Sequence, residues 1–79
     1  MPWLSKRRFE IAGHTDAGGS KKKNLALSQA RAEAVTQLLV ANGVDPSRLE
    51  AKGYGAEDLA VPSAPRDAAN RRVEARSLN

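Results

Sequence analysis

The sequence predicts a small α/β domain in which one long helix lies on one face of a mixed sheet. Three observations predict it. Phe9, Ile11 and Gly13 alternate with Glu10, Ala12 and His14, as in a short strand. Leu27, Ala34, Val35, Leu38 and Leu39 then recur at helical spacing. Leu49, Ala51 and Gly53 alternate with Glu50 and Lys52, restoring the strand period. A strand–helix–strand unit of this kind is parallel and right-handed.

In chain order, residues 1–6 read as an irregular lead-in whose Trp3 and Leu4 cover an apolar edge. The first strand spans about Arg7–His14 and ends at Thr15-Asp16. Ala17-Gly18-Gly19-Ser20 is a loop with freedom for unusual backbone angles. The helix spans about Lys21–Ala41, with Gln29, Glu33, Thr36 and Gln37 on its solvated face. Asn42-Gly43 is a stop signal, and Asp45-Pro46 bars continuation. The second strand, about Arg48–Tyr54, ends in the turn Gly53-Tyr54-Gly55. Ala56–Ala64 is a surface loop and Pro65–Asn70 a single helical turn. Arg71–Leu78 is a third strand, with Val73 and Ala75 set against Arg72, Glu74 and Arg76. No repeat or linker interrupts residues 1–79, which form a single domain.

At 79 residues the core is small, and with 41% apolar but only 4% aromatic residues it is aliphatic and alanine-rich. Without cysteine there is neither a disulfide framework nor a thiolate metal site. His14 is the single histidine, with no nucleophile elbow and no metal cluster near it in sequence, so it reads as an ordinary strand-end residue. Gly53-Tyr54-Gly55 lacks the lysine and helix start of a phosphate loop. The expectation is a non-enzyme with no cofactor and no metal. No apolar stretch is long enough for a signal peptide or a membrane span.

Arg31 is the anomaly. It stands four residues after Leu27 and four before Val35, which at about 100° per residue puts it inside the predicted apolar stripe. A core-facing arginine needs an anion, and Asp16 is the nearest plausible one, where strand gives way to helix. The bland alternative is a structural ion pair. Asn24 precedes Arg31 by seven residues on the same helix face, and is also a favoured N-cap. Thr15 offers a hydroxyl and a backbone donor. Leu27 reads as core that also walls the crevice, and Ser28 either caps or contacts.

The run Ile11-Ala-Gly-His-Thr-Asp16, then Asn24-x-x-Leu27-Ser28-x-x-Arg31-Ala32-x-x-Val35, resembles the core motif of the OmpA C-terminal-like family, which includes the Pal lipoproteins and the periplasmic part of MotB. Gly43-Val-Asp-Pro-Ser-Arg48, Gly53-Tyr54-Gly55 and Asn70-Arg71-Arg72-Val73-Glu74 match in order and spacing, so the resemblance covers about Phe9 to Glu74. It implies a β-α-β-α-β-β fold of which this chain lacks the first strand and helix, leaving its last strand as an exposed edge open to a homodimer. It also implies a peptidoglycan-binding module. In the family the residues matching Asp16 and Arg31 hold the zwitterionic end of meso-diaminopimelate in the stem peptide, and Arg72 helps frame the site. The implied location is the periplasm or outer membrane. Lys21-Lys22-Lys23 and Ala17-Gly18-Gly19 depart from the family pattern.

The net charge of +4 supports a rival reading, a small basic nucleic-acid-binding domain using Lys6-Arg7-Arg8, Lys21–Lys23 and Arg71-Arg72. Trp3, Phe9 and Tyr54 are few aromatics for base stacking, so no nucleic-acid partner is expected. A fragment without independent function is the third reading.

Overall fold

The computed structural model describes residues 7–57, 60–64 and 66–78; Trp3, Leu4 and Pro65, to which roles were assigned above, lie outside them. Among the described residues, three strands and one long helix make up the fold: β1 (Phe9–His14), α1 (Lys21–Ala41), β2 (Leu49–Gly55) and β3 (Arg72–Ser77). Short 3-10 turns at Pro46–Arg48 and Ala68–Asn70 lead into β2 and β3. The helix has its expected bounds, and each strand lies within about two residues of its expected ones.

The sheet order is β2-β1-β3. β1 runs parallel to β2, with Phe9 opposite Leu49 and Gly13 opposite Gly53, and antiparallel to β3, with Phe9 opposite Ser77 and His14 opposite Arg72. The long connection through α1 makes the first pairing parallel. β3 lies at an edge of the sheet that the described residues form. A register shift between Gly13 and His14 pairs His14 with Gly55 and skips Tyr54.

The way the helix meets the sheet corrects the expected stripe. α1 buries Ser28 and Ala32, while Leu27 is 45% and Leu38 63% exposed. The reason is close approach. A Cβ on Gly13 would stand 2.1 Å from the Ser28 carbonyl oxygen, and one on Gly53 would stand 2.4 Å from the Gln29 nitrogen. Both glycines turn toward the helix, so the inward face is marked by small side chains instead of large apolar ones. The true stripe runs Leu25, Ser28, Ala32, Val35 and Leu39, one residue-step around from the expected one.

The helix starts at Ser20, whose Oγ accepts from the Lys23 N–H at 3.1 Å; Ser20 is the N-cap, and Asn24 is not. It ends at Asn42, followed by Gly43 at φ +100°. Gln29 blunts the outer side of β2. Its Nε2 donates to the Ala51 carbonyl at 3.2 Å and its Oε1 accepts from the Gly53 N–H at 2.7 Å, as a neighbouring strand would. On the sheet face away from α1, the Tyr54 ring stacks on His14 with centroids 5.4 Å apart, and the Tyr54 hydroxyl donates to Glu10 Oε1 at 2.7 Å. The ring thus lies along β1 over the fully buried Ala12. His14 is not an ordinary strand end; it is fully buried beside Glu74 and Arg76.

Candidate functional site

β1 delivers Thr15 and Asp16 to the sheet end where the parallel strands finish and α1 begins. The Thr15 N–H donates to the Gly55 carbonyl at 2.8 Å, which holds this end of β1 against β2. The loop from Ala17 to Ser20 then folds back on Asp16. Oδ1 of Asp16 accepts from the Gly18 N–H at 2.8 Å, closing an Asx turn. Asn24 fastens the same loop to the helix, its Nδ2 donating to the Gly18 carbonyl at 2.9 Å and the Asp16 carbonyl at 3.3 Å. Gly19 makes this possible by adopting φ +83°.

Asp16 meets an arginine, but not the expected one. Its Oδ2 accepts from Arg71 Nη1 at 2.6 Å. That bond, then the one from Gly18, holds the Asp16 carboxyl below its ordinary range, and Arg66 adds a smaller attraction. Arg31 is exposed and makes no hydrogen bond or ion pair with any described residue. The correction follows from the rotated stripe: Arg31 stands on a flank of α1, where a charge stays solvated and needs no anion. Leu27 shares that flank and is not core.

The other expected residues are placed as follows. Thr15 is 3% exposed, and its Oγ1 has no hydrogen-bond partner among the described residues. Ser28 is fully buried, donating to the Leu25 carbonyl and accepting from the Gly55 N–H at 2.9 Å, which makes it a helix-to-sheet clasp. Arg72 binds Glu74 at 2.7 Å and reaches the Asn70 carbonyl at 3.4 Å. Glu74, gripped first by Arg72 and then by Arg76, titrates below its ordinary range.

Two residues escaped the sequence reading. Arg71 was passed over for Arg72 because adjacent strand residues face opposite ways, and only the topology says which one meets Asp16. Asn70 is fully buried, and its Oδ1 accepts from the Val61 N–H at 2.7 Å while Nδ2 donates to the Ala64 carbonyl at 3.0 Å. It pins the 61–64 loop and so sets where Arg71 starts. Its place ahead of two arginines was the available signal.

An open cleft of about 250 Å³ is bounded by Ala17, Gly19, Lys21, Asn24, Tyr54 and Glu57; of the expected site residues Asn24 lines it, and Asp16, Thr15, Leu27, Arg31 and Arg72 do not. The sheet end that carries Thr15, Asp16 and the start of α1 combines a carboxylate, cations, a hydroxyl without a partner among the described residues and the N-terminal end of a long helix, a set suited to a small ligand carrying both charges. Several arginines that a nucleic-acid surface would enlist are already engaged by acids: Arg8 by Glu50, Arg71 by Asp16 and Arg72 by Glu74.

Comparison with known proteins agrees with this architecture. A sequence model of the OmpA family matches residues 2–72. The chain is 50% identical over 68 residues to outer membrane porin F of Pseudomonas fluorescens, covering 84% of the chain and 21% of the porin. It is 42% identical over 72 residues to the peptidoglycan-associated lipoprotein of Pseudomonas aeruginosa, covering 89% of the chain and 43% of the lipoprotein. Among solved structures, the peptidoglycan-associated lipoprotein from Burkholderia pseudomallei superposes with a TM-score of 0.86 at 35% identity, covering 96% of this chain and 66% of that one. The C-terminal domain of Helicobacter pylori MotB does so with a TM-score of 0.76 at 29% identity, covering 94% and 59%. The chain spans less than half the length of either sequence relative.

Proposed function

The chain belongs to the OmpA family, and on that premise we propose that it is a non-catalytic peptidoglycan-binding module recognising the meso-diaminopimelate of the stem peptide. The observation that carries this reading is Arg31, exposed and without a partner among the described residues, on the flank of α1 that also bears Asn24, whose amide ties down the Asp16 loop. Diaminopimelate ends in an ammonium and a carboxylate on one carbon. Asp16 accepts from the ammonium, which takes the place Arg71 holds in the free protein, and Arg31 grips the carboxylate with two parallel donors. Thr15 has a buried hydroxyl to contribute. Leu27, on the same flank, covers the methylene stem, and Arg72 braces the strand behind through Glu74 and Asn70. Relatives named as an outer membrane porin and a peptidoglycan-associated lipoprotein support a place in the periplasm or at the outer membrane.

The test is co-sedimentation of the folded chain with purified sacculi over a salt series. Retention that weakens only modestly with salt is expected, since the contact is short-range and pocketed. Binding that collapses steeply with salt, and is matched by binding to DNA, would point to the phosphate-driven reading instead.

A further inference from the structure

We propose that Arg71 is an internal competitor for the ligand: its guanidinium occupies the Asp16 carboxylate, and a ligand binds by displacing it. The proposal rests on the reading above, in which Asp16 receives the ammonium of a zwitterion. The two oxygens of Asp16 have different partners. Oδ1 accepts from the Gly18 N–H at 2.8 Å and closes the turn, while Oδ2 accepts from Arg71 Nη1 at 2.6 Å. The oxygen left for an ammonium is thus the one that already holds a cation. An ammonium added beside the guanidinium would set two positive charges at contact distance on one carboxylate, where like charges repel strongly. Binding is therefore an exchange.

The two sides of the pair are held differently. The Asp16 side chain is 18% exposed, against 47% for Arg71. Asn24 fixes the Asp16 loop through the Gly18 carbonyl. Arg71 is anchored through its backbone: its N–H donates to the Ala68 carbonyl at 3.0 Å, and the buried Asn70 before it holds the turn. Its guanidinium can therefore swing into water with no shift of the chain. Arg72 is engaged by Glu74 and does not take its place. Arg66 acts on Asp16 through its charge alone, and less strongly. A ligand carrying an ammonium alone replaces one cation by another and gains no new ion pair. A zwitterion replaces the cation and also brings a carboxylate for Arg31. Arg71 thus raises the concentration that every Asp16 ligand needs by a common factor, and leaves the ratio between ligands to Arg31. Simple amines then stay unbound at concentrations where the zwitterion binds.

The experiment is calorimetry of the wild-type chain, Arg71→Gln and Arg66→Gln with diaminopimelate-type and lysine-type stem peptides, alongside NMR of the Arg71 guanidinium in the wild type. Arg71→Gln should tighten both peptides by the same factor, about threefold to thirtyfold, as for loss of a partly exposed charge-assisted bond. Their ratio should stay as in the wild type. Arg66→Gln removes an equal charge but no bond to Asp16, and should change either affinity by less than about twofold. As ligand saturates the wild type, the Arg71 guanidinium should lose its restricted rotation while the Gly18 amide keeps its bond, a readout that needs no variant to fold. Binding seen in Arg71→Gln alone would be the same competition at its strongest. Weaker or unchanged binding by Arg71→Gln, with the wild type still binding, overturns the competition and leaves the diaminopimelate reading standing. So does a guanidinium that stays restricted at saturation, or an equal gain in Arg66→Gln, which would trace the effect to charge alone. A ratio that collapses in Arg71→Gln also overturns it, since Arg71 would then hold the ligand carboxylate. Peptides that bind neither the wild type nor Arg71→Gln overturn both proposals.

Discussion

Asp16 and Arg71 close a 2.6 Å ion pair between the end of β1 and the residue that precedes β3. The pair joins the two segments that flank the candidate site, so its titration should be visible from both. The Asp16 carboxyl is held below its ordinary value by Arg71 and, less, by the Gly18 N–H. A depressed folded-state value means that the stabilisation is full above the unfolded chain's carboxylate range and is lost as pH falls through the folded value. Arg71→Gln should move the Asp16 carboxyl-carbon titration upward, and the Gly18 amide shift should follow it. An unchanged titration in Arg71→Gln would remove Arg71 from the site.

The contact of Gly13 with Ser28 leads to a second prediction, in stability. A methyl at residue 13 would drive into backbone that has no rotamer by which to yield. Gly13→Ala should cost about 3 kcal/mol or more in denaturant unfolding. Leu38→Ala, at a residue that stands 63% exposed, should change stability by less than about 0.5 kcal/mol. The reverse order would restore Leu38 to the core and displace the glycine contact.

That pair of substitutions also marks where the sequence was legible. Alternation in β1, β2 and β3, the helical spacing of α1 and the Asn42-Gly43 stop after it are local signals, and they located the elements. The inward face of α1 is not a local property. Hydrophobic spacing favoured Leu27, Arg31 and Leu38, but the helix lies so close to Gly13 and Gly53 that only Ser28 and Ala32 fit there. Smallness on both partners was the signal, and it becomes readable only once the strand and helix are known to pack together. Asp16 and Asn24 stood out by type and position. Arg71 did not, because the parity of a strand is fixed by its pairing with β1, far away in sequence.

Tyr54 should titrate above an ordinary tyrosine, because its hydroxyl donates to Glu10 and its ring is partly withdrawn from water. Here the folded state favours the neutral form. The stabilisation is complete below the unfolded tyrosine value and is lost as pH rises through the folded one. Absorbance of tyrosinate during alkaline titration reads this directly, since Tyr54 is the chain's one tyrosine. Glu10→Gln should lower the midpoint toward the ordinary value. A midpoint equal to that of the unfolded chain would show that the Glu10 bond does not form.

The last prediction concerns ligand choice. Diaminopimelate-type stems present an ammonium and a carboxylate, whereas lysine-type stems end in an ammonium alone. If Asp16 takes the ammonium and Arg31 the carboxylate, lysine-type stems leave Arg31 solvated, as it stands in the free protein. The missing charge-assisted bonds are worth about 1.5–3 kcal/mol. Binding should therefore discriminate on the order of tenfold to a hundredfold, measured by calorimetry with stem peptides of both types. Arg31→Ala should remove the discrimination, and Arg31→Lys should not restore it, because an ammonium lacks the planar two-donor fork. Asp16→Ala should weaken both stem types alike, since both carry the ammonium. Arg31 is exposed and Asp16 lies on a loop, so helix content by circular dichroism should stay unchanged in each variant. Equal affinity for the two stems in the wild-type chain, or unaltered binding by Arg31→Ala, would take the site away from Arg31 and leave the carboxylate of the ligand to another cation, with Arg71 the nearest to Asp16.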